Sequence, residues 1–141
     1  MSRSGYIDDC DQWDLIRWRG QVASALRGHR GQAFLREMLR ALDALPEKRL
    51  IADELVHDGE VCAIGSVGRA RGIDMTQLDP ECPEQLAAAF GIARQLVQEI
   101  EFINDDEDCP CSPEQRFIKV RKWVLNEIIV RPEELLMDKK S

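Results

Sequence analysis

The chain has 141 residues, 44% hydrophobic and 32% charged, with a net charge of −7, the size and balance of one globular domain able to bury roughly 68% of its unfolded surface. This composition excludes a disordered tract and a fibrous repeat, and its apolar runs are only a few residues against the ~20 that a membrane-spanning helix needs. The acidic balance disfavours nonspecific attachment to nucleic acid or to an anionic membrane.

A first helix is predicted over residues 13–27, where Leu15, Trp18, Val22, Ala25 and Leu26 recur at three- and four-residue steps behind a candidate N-cap, Asp11. Gly28-His29-Arg30-Gly31 interrupts the pattern, and its two glycines suit a left-handed cap and a tight connection. A second helix follows over residues 32–45, with Leu35, Met38, Leu39, Leu42 and Leu45 on one face and Pro46 as its stop. If the two helices pack by these stripes, their arginines lie on the outer faces and at the connection. Six arginines (Arg17, Arg19, Arg27, Arg30, Arg36 and Arg40) stand against one acid, Glu37, so this stretch carries +5 and the rest of the chain −12.

Between residues 49 and 64 the apolar residues Leu50, Ile51, Leu55, Val56, Val61, Cys62 and Ile64 surround His57-Asp58-Gly59, whose Asp-Gly step predicts a short β-hairpin. Two strands are marginal alone, so the hairpin must lean on helices. A short helix over 66–71 should stop at Gly72. Pro83-Glu84 is helix-start chemistry for a helix over 83–90, broken by Gly91. A further helix over 93–104 places Leu96, Val97, Ile100 and Ile103 on a common face. Residues 105–111, reading DDEDCPC, are expected as an exposed acidic loop, although Asn104 could turn left-handed at the helix end and Asp105 could tie the chain to backbone donors nearby. The last helix has Ser112 as N-cap, Pro113 in its first turn and Gln115 completing a capping box, with Phe117, Val120, Val124 and Ile128 as its buried stripe and Pro132 as its close. The expectation is a mainly α fold: a compact bundle of five or six helices with one small β-hairpin, a single domain over 1–132 and a flexible tail over 133–141.

Cys62-Ala63-Ile64-Gly65, Gly68-Arg69-Ala70-Arg71-Gly72, Phe90-Gly91-Ile92, Glu99-Ile100, Asn104-Asp105 and Pro113-Glu114-Gln115-Arg116, with the opening Ser2-Arg3-Ser4-Gly5-Tyr6 and the block Arg30-Gly31-Gln32, resemble small uncharacterised proteins encoded by tailed bacteriophages and prophages. The resemblance covers nearly the whole chain, and Cys109-Pro110-Cys111 departs from it. It implies a nonstructural phage gene acting on host machinery or host defence, with no functional residue to carry over. The partner it implies is a host bacterial protein, met in the host cytoplasm. The absence of an apolar signal region in the opening residues fits that compartment, as do five irregularly spaced cysteines read as reduced thiols.

Four features could carry chemistry. The arginine-rich first pair could bind phosphate or carboxylate through Arg17, Arg19, Arg27, His29, Arg30 and Arg36, which would suit a partner surface or, alternatively, a small nucleotide or phosphate ligand; the plainer reading is a solvated face paired with acids from elsewhere. Residues 86–100 have the spacing of a DNA-binding helix-turn-helix, with Arg94, Gln95 and Gln98 as candidate readers, but Glu99, Glu101 and the acidic loop oppose phosphates, so an αα-hairpin serving the core is preferred. The one-residue spacing of Cys109 and Cys111, with Cys10 and Cys82 elsewhere, does not match a structural zinc site, and Cys62 reads as a small buried hydrophobe. Neither His29 nor His57 sits in a recognisable catalytic pattern, and Gly65-Ser66-Val67-Gly68 lacks the lysine of a phosphate-binding loop. No enzyme, cofactor or metal is therefore expected, and exposed Trp13, Trp123, Leu135 and Leu136 would suit a homodimer.

Overall fold

Helix-period apolar stripes meet in one interior. The computed structural model describes residues 12–106 and 111–130, the side chains of residues 12–15 excepted. It shows six α-helices among the described residues: α1 (Gln12–Arg27), α2 (His29–Ala44), α3 (Ala63–Arg71), α4 (Pro83–Phe90), α5 (Arg94–Asp105) and α6 (Pro113–Glu127). Two two-residue strands, β1 (Val56–His57) and β2 (Glu60–Val61), pair antiparallel, with Val56 opposite Val61 and His57 opposite Glu60. The fold is thus a mainly α bundle with one small hairpin. Asp11, Trp13, Leu15, Leu135, Leu136, the tail over 133–141 and Pro132 bear on expectations that fall outside what is described.

Helices α2 and α5 organise the bundle: α2 packs on α1, α3 and α6, while α5 packs on α1, α3, α4 and α6. Their inward faces are the predicted stripes. Leu35, Met38, Leu42, Leu96 and Val97 are fully buried, and Val22, Leu26, Phe117, Val120 and Val124 close the core from α1 and α6. At roughly 1.5–3 kcal/mol for each large aliphatic side chain withdrawn from water, this common interior is the main force holding the helices together. Trp123, expected to be exposed, instead packs against that core.

Local chemistry sets the ends of most elements. Asp58 and Gly59 both have positive φ (51° and 81°), the conformation a two-residue hairpin turn requires. Gly72 (φ 74°) and Gly91 (φ 72°) are the left-handed caps of α3 and α4. The capping box of α6 forms as expected, with Ser112 and Gln115 each bonding the other's backbone N–H. A 3-10 turn, Met75–Gln77, capped by Asp74, was not legible beforehand.

Elsewhere long-range contacts override the local signal. Helix α2 begins at His29, three residues early, because Gly28 is extended (φ −66°, ψ 160°) rather than left-handed. Gly31 therefore lies inside α2, where a Cβ would sit 1.9 Å from the carbonyl oxygen of Ala25: it permits close approach of two helices, not a turn. Helix α3 likewise starts at Ala63 rather than residue 66, with the Cys62 sulfur accepting from the Gly65 N–H. Helix α6 ends at Glu127, well before Pro132. Asp105 belongs to α5 and is buried, not part of an exposed loop. Cys111 takes part in a disulfide, which corrects the reading of all five cysteines as thiols; Cys62 and Cys82 are not disulfide-bonded.

One polar junction ties the irregular middle of the chain to α5. Asn104, 1% exposed and helical rather than left-handed, accepts from the Ala63 N–H at the start of α3 (3.0 Å) and donates to the Ile51 carbonyl and to Asp105 Oδ1 (2.9 Å each). Asp105 Oδ1 in turn accepts from the N–H of Asp53 (3.1 Å), a residue held at φ 67°. The Leu50 N–H donates to the Pro113 carbonyl and Arg116 donates to the Leu50 carbonyl, fastening the same segment to α6.

The glycines give a direct check on this packing. A Cβ at Gly65 would lie 2.0 Å from the Leu55 carbonyl oxygen, whereas one at Gly20, in the middle of α1, meets nothing within 4 Å. By urea denaturation, Gly65→Ala should destabilise the fold by on the order of 1–3 kcal/mol, while Gly20→Ala should stabilise it by roughly 0.5–1 kcal/mol through helix propensity alone. Equal effects at the two positions would contradict the packing of α3 described above.

Candidate functional site

The elbow between α1 and α2 is braced by the end of α6. The Gln32 amide donates to the carbonyls of Leu26 (2.7 Å) and Glu127 (3.0 Å) and accepts from the Ile129 N–H (2.8 Å), while Arg36 donates to the Ile129 carbonyl (2.7 Å). Both backbone polar groups of Ile129 are thereby fixed. The result is a cleft of about 430 Å³ lined by Arg27, His29, Gln32, Ala33, Arg36 and Ile129.

The structure thus brings together three of the six basic residues singled out in the sequence: Arg27, His29 and Arg36. Arg17 lies apart, on a shallower groove of about 590 Å³ that it shares with Gly20, Gln21, Ser24, Ala25, Ala93 and Gln95. Arg19 and Arg30 are exposed on α1 and α2 and line neither cleft. Gln32 and Ile129 carried no signal of their own, because the tie between them spans 97 positions.

What distinguishes this face is where the protein's acids go. Arg71 is held bidentately by Glu37 (2.7 and 2.8 Å), lies 5.8 and 5.6 Å from the ring centroids of Phe34 and Phe90, and donates to the Phe90 carbonyl, joining α2, α3 and α4. Arg121 pairs with Asp43 (2.7 Å) between α6 and α2, Arg49 with Glu60 (2.8 Å), and Lys119 with Asp106 (3.1 Å). By contrast Arg19, Arg27, His29 and Arg30 make no ion pair or side-chain hydrogen bond among the described residues. The expected pairing of the basic stretch with acids from elsewhere is not met at these four, and the one acid of the stretch, Glu37, pairs instead with Arg71 of α3.

The DNA-reading candidates divide differently. Arg94 pairs with Glu84 (3.1 Å) across the α4–α5 turn, Gln95 contacts Gln21 on α1 (3.4 Å), and Gln98 is only 8% exposed, so its amide faces the protein interior. His57, on the exposed hairpin, lies between Glu54 (3.3 Å) and Asp58 (3.2 Å). Among the described residues no three His, Cys, Asp or Glu side chains cluster as metal ligands, and no helix is long and apolar enough to cross a membrane. Comparison of the chain with protein families, with curated proteins and with solved structures finds no match.

The Glu37–Arg71 clamp makes stability depend on pH in a defined direction. The hydrogen bond from Arg71, reinforced by its charge, holds the Glu37 carboxyl below its ordinary value of 4.5 and raises Arg71. A depressed folded-state pKa contributes stability that is fully present above pH 4.5 and is lost as pH falls through the lower folded value. Glu37→Gln should therefore cost about 1 kcal/mol near neutrality, and the gap from the unsubstituted protein should close as pH drops below 4.5. Chemical denaturation at several pH values checks this; a gap that widens on acidification would contradict it.

Proposed function

We propose that this chain acts by binding, presenting the outer faces of α1 and α2 to an acidic surface on a partner protein. The observation that carries the reading is that Arg19, Arg27, His29 and Arg30 stay unpaired among the described residues although the protein has 26 acidic side chains against 19 Lys and Arg. Exposed ion pairs stabilise a fold by little, so leaving these side chains open costs the fold little. Opposite an acidic surface they would instead steer association and set orientation, where complementary charge has its largest effect. The resemblance to phage-encoded proteins supports a host bacterial protein as that partner, met in the bacterial cytoplasm. Against the DNA-binding alternative stand the burial of Gln98 and the capture of Arg94 by Glu84, which withdraw two of its three readers.

The test compares affinity capture from bacterial lysate by the unsubstituted chain and by the triple variant Arg19→Glu, Arg27→Glu, Arg30→Glu. All three side chains are exposed, so both forms should unfold at similar temperature. Proteins retained by the first should be lost by the second, and their retention should weaken as salt rises. Identical capture by both forms, or no enrichment by either, would defeat the proposal.

A further inference from the structure

The elbow cleft differs from the rest of the basic face in having an apolar wall on a fixed backbone. The Ile129 side chain is 52% exposed although its N–H and C=O are both engaged, by Gln32 and Arg36, and it stands beside exposed Ala33. An exposed aliphatic residue held in place next to cations is a surface arranged before a ligand arrives, which lowers the ordering cost of binding. Arg36 is committed to the Ile129 carbonyl and braces the wall, leaving Arg27 and His29 to meet a ligand. The charge there comes from side chains, since the end of α1 and the start of α2 meet at Gly28 and their dipoles oppose one another.

These features together select a chemistry. A bare anion would satisfy Arg27 and His29 and leave Ile129 and Ala33 in water. A nucleic acid brings phosphates but no aliphatic group, and meets repulsion from a protein of net charge −7. An acidic peptide segment with a leucine or isoleucine beside its carboxylates matches both walls, and the cleft volume of about 430 Å³ suits a few side chains. Resting on the binding role argued above, we infer that the α1–α2 elbow anchors an acidic–aliphatic segment of the partner, its carboxylate between Arg27 and His29 and its aliphatic side chain on Ile129 and Ala33.

The experiment titrates the isotope-labelled full chain, followed by amide and isoleucine-methyl NMR, with the blocked hexapeptide Glu-Asp-Leu-Glu-Asp-Leu. Two control peptides replace the acids by Gln and Asn or the leucines by Gly, and a fourth arm uses inorganic phosphate. Saturable shifts should map to the amides of residues 27–36 and to the Ile129 methyls, with each control peptide weaker by roughly tenfold or more. Ile129→Ser, which changes an exposed side chain, should weaken the parent peptide and leave the glycine-substituted control unaffected. The inference is overturned if the shifts map elsewhere or are absent, if either control peptide binds as well, or if phosphate alone binds the cleft as tightly as the peptide. It is also overturned if the same shifts appear on raising protein concentration alone, which would make a second copy of the chain the occupant. Failure here, with partner capture still lost on charge reversal of Arg19, Arg27 and Arg30, would remove the elbow as the anchor while leaving the broader reading in place.

Discussion

The buried amide of Asn104 is the contact on which the middle of the chain depends. Residues 50–62 are almost without regular structure, yet Leu50, Leu55, Val61 and Cys62 are buried, and backbone polar groups withdrawn from water there must find partners. Asn104 supplies one acceptor and two donors at the meeting point of the Ile51 carbonyl, the Ala63 N–H and Asp105, and Asp105 extends the junction to Asp53. The two residues turn the inner end of α5 into a cap for α3 and a template for the segment before the hairpin. Glycine completes the fit, since Gly65 lets α3 lie directly on the Leu55 carbonyl.

The same economy governs charge. The arginines that face other helices are used as clamps: Arg71 joins α2, α3 and α4, Arg116 fastens the Leu50 carbonyl to α6, and Arg121 links α6 to α2. Glu37 and Asp43 are consumed in these pairs, and Asp105 in its junction with Asn104. Arg19, Arg27, His29 and Arg30 point away from that interior, and no described acid reaches them. A polarised surface follows without any device beyond amphipathic helices and interhelical pairing.

The sequence revealed those parts of the fold that are decided locally. Period-3.6 stripes located the helices because burial of Leu35, Met38, Leu42, Leu96, Val97, Val120 and Val124 is written into their spacing. Gly72, Gly91, Asp58-Gly59 and Ser112 marked ends and turns through their own backbone chemistry. Gly31 misled and Gly65 gave no signal, because their role is close approach to the Ala25 and Leu55 carbonyls, which pattern alone does not show. Asp105 looked like one acid in a solvated run and is buried through a bond to a residue 52 positions away. At the candidate site the arginines were visible as a charge run, but the cleft was not: it exists because Gln32 grips Ile129 from 97 positions away in the sequence.

The central claim is this division of arginines into clamps and open cations, and the Nε–H signals of the arginine side chains report on it one residue at a time. Hydrogen exchange measured by NMR at low temperature should be slowed for Arg71 and Arg121, whose Nε atoms bond carboxylates, and should be close to that of free arginine for Arg19, Arg27 and Arg30. Protection of Arg27 and Arg30 comparable to that of Arg71 would mean that the face is already satisfied from within, and would contradict the account.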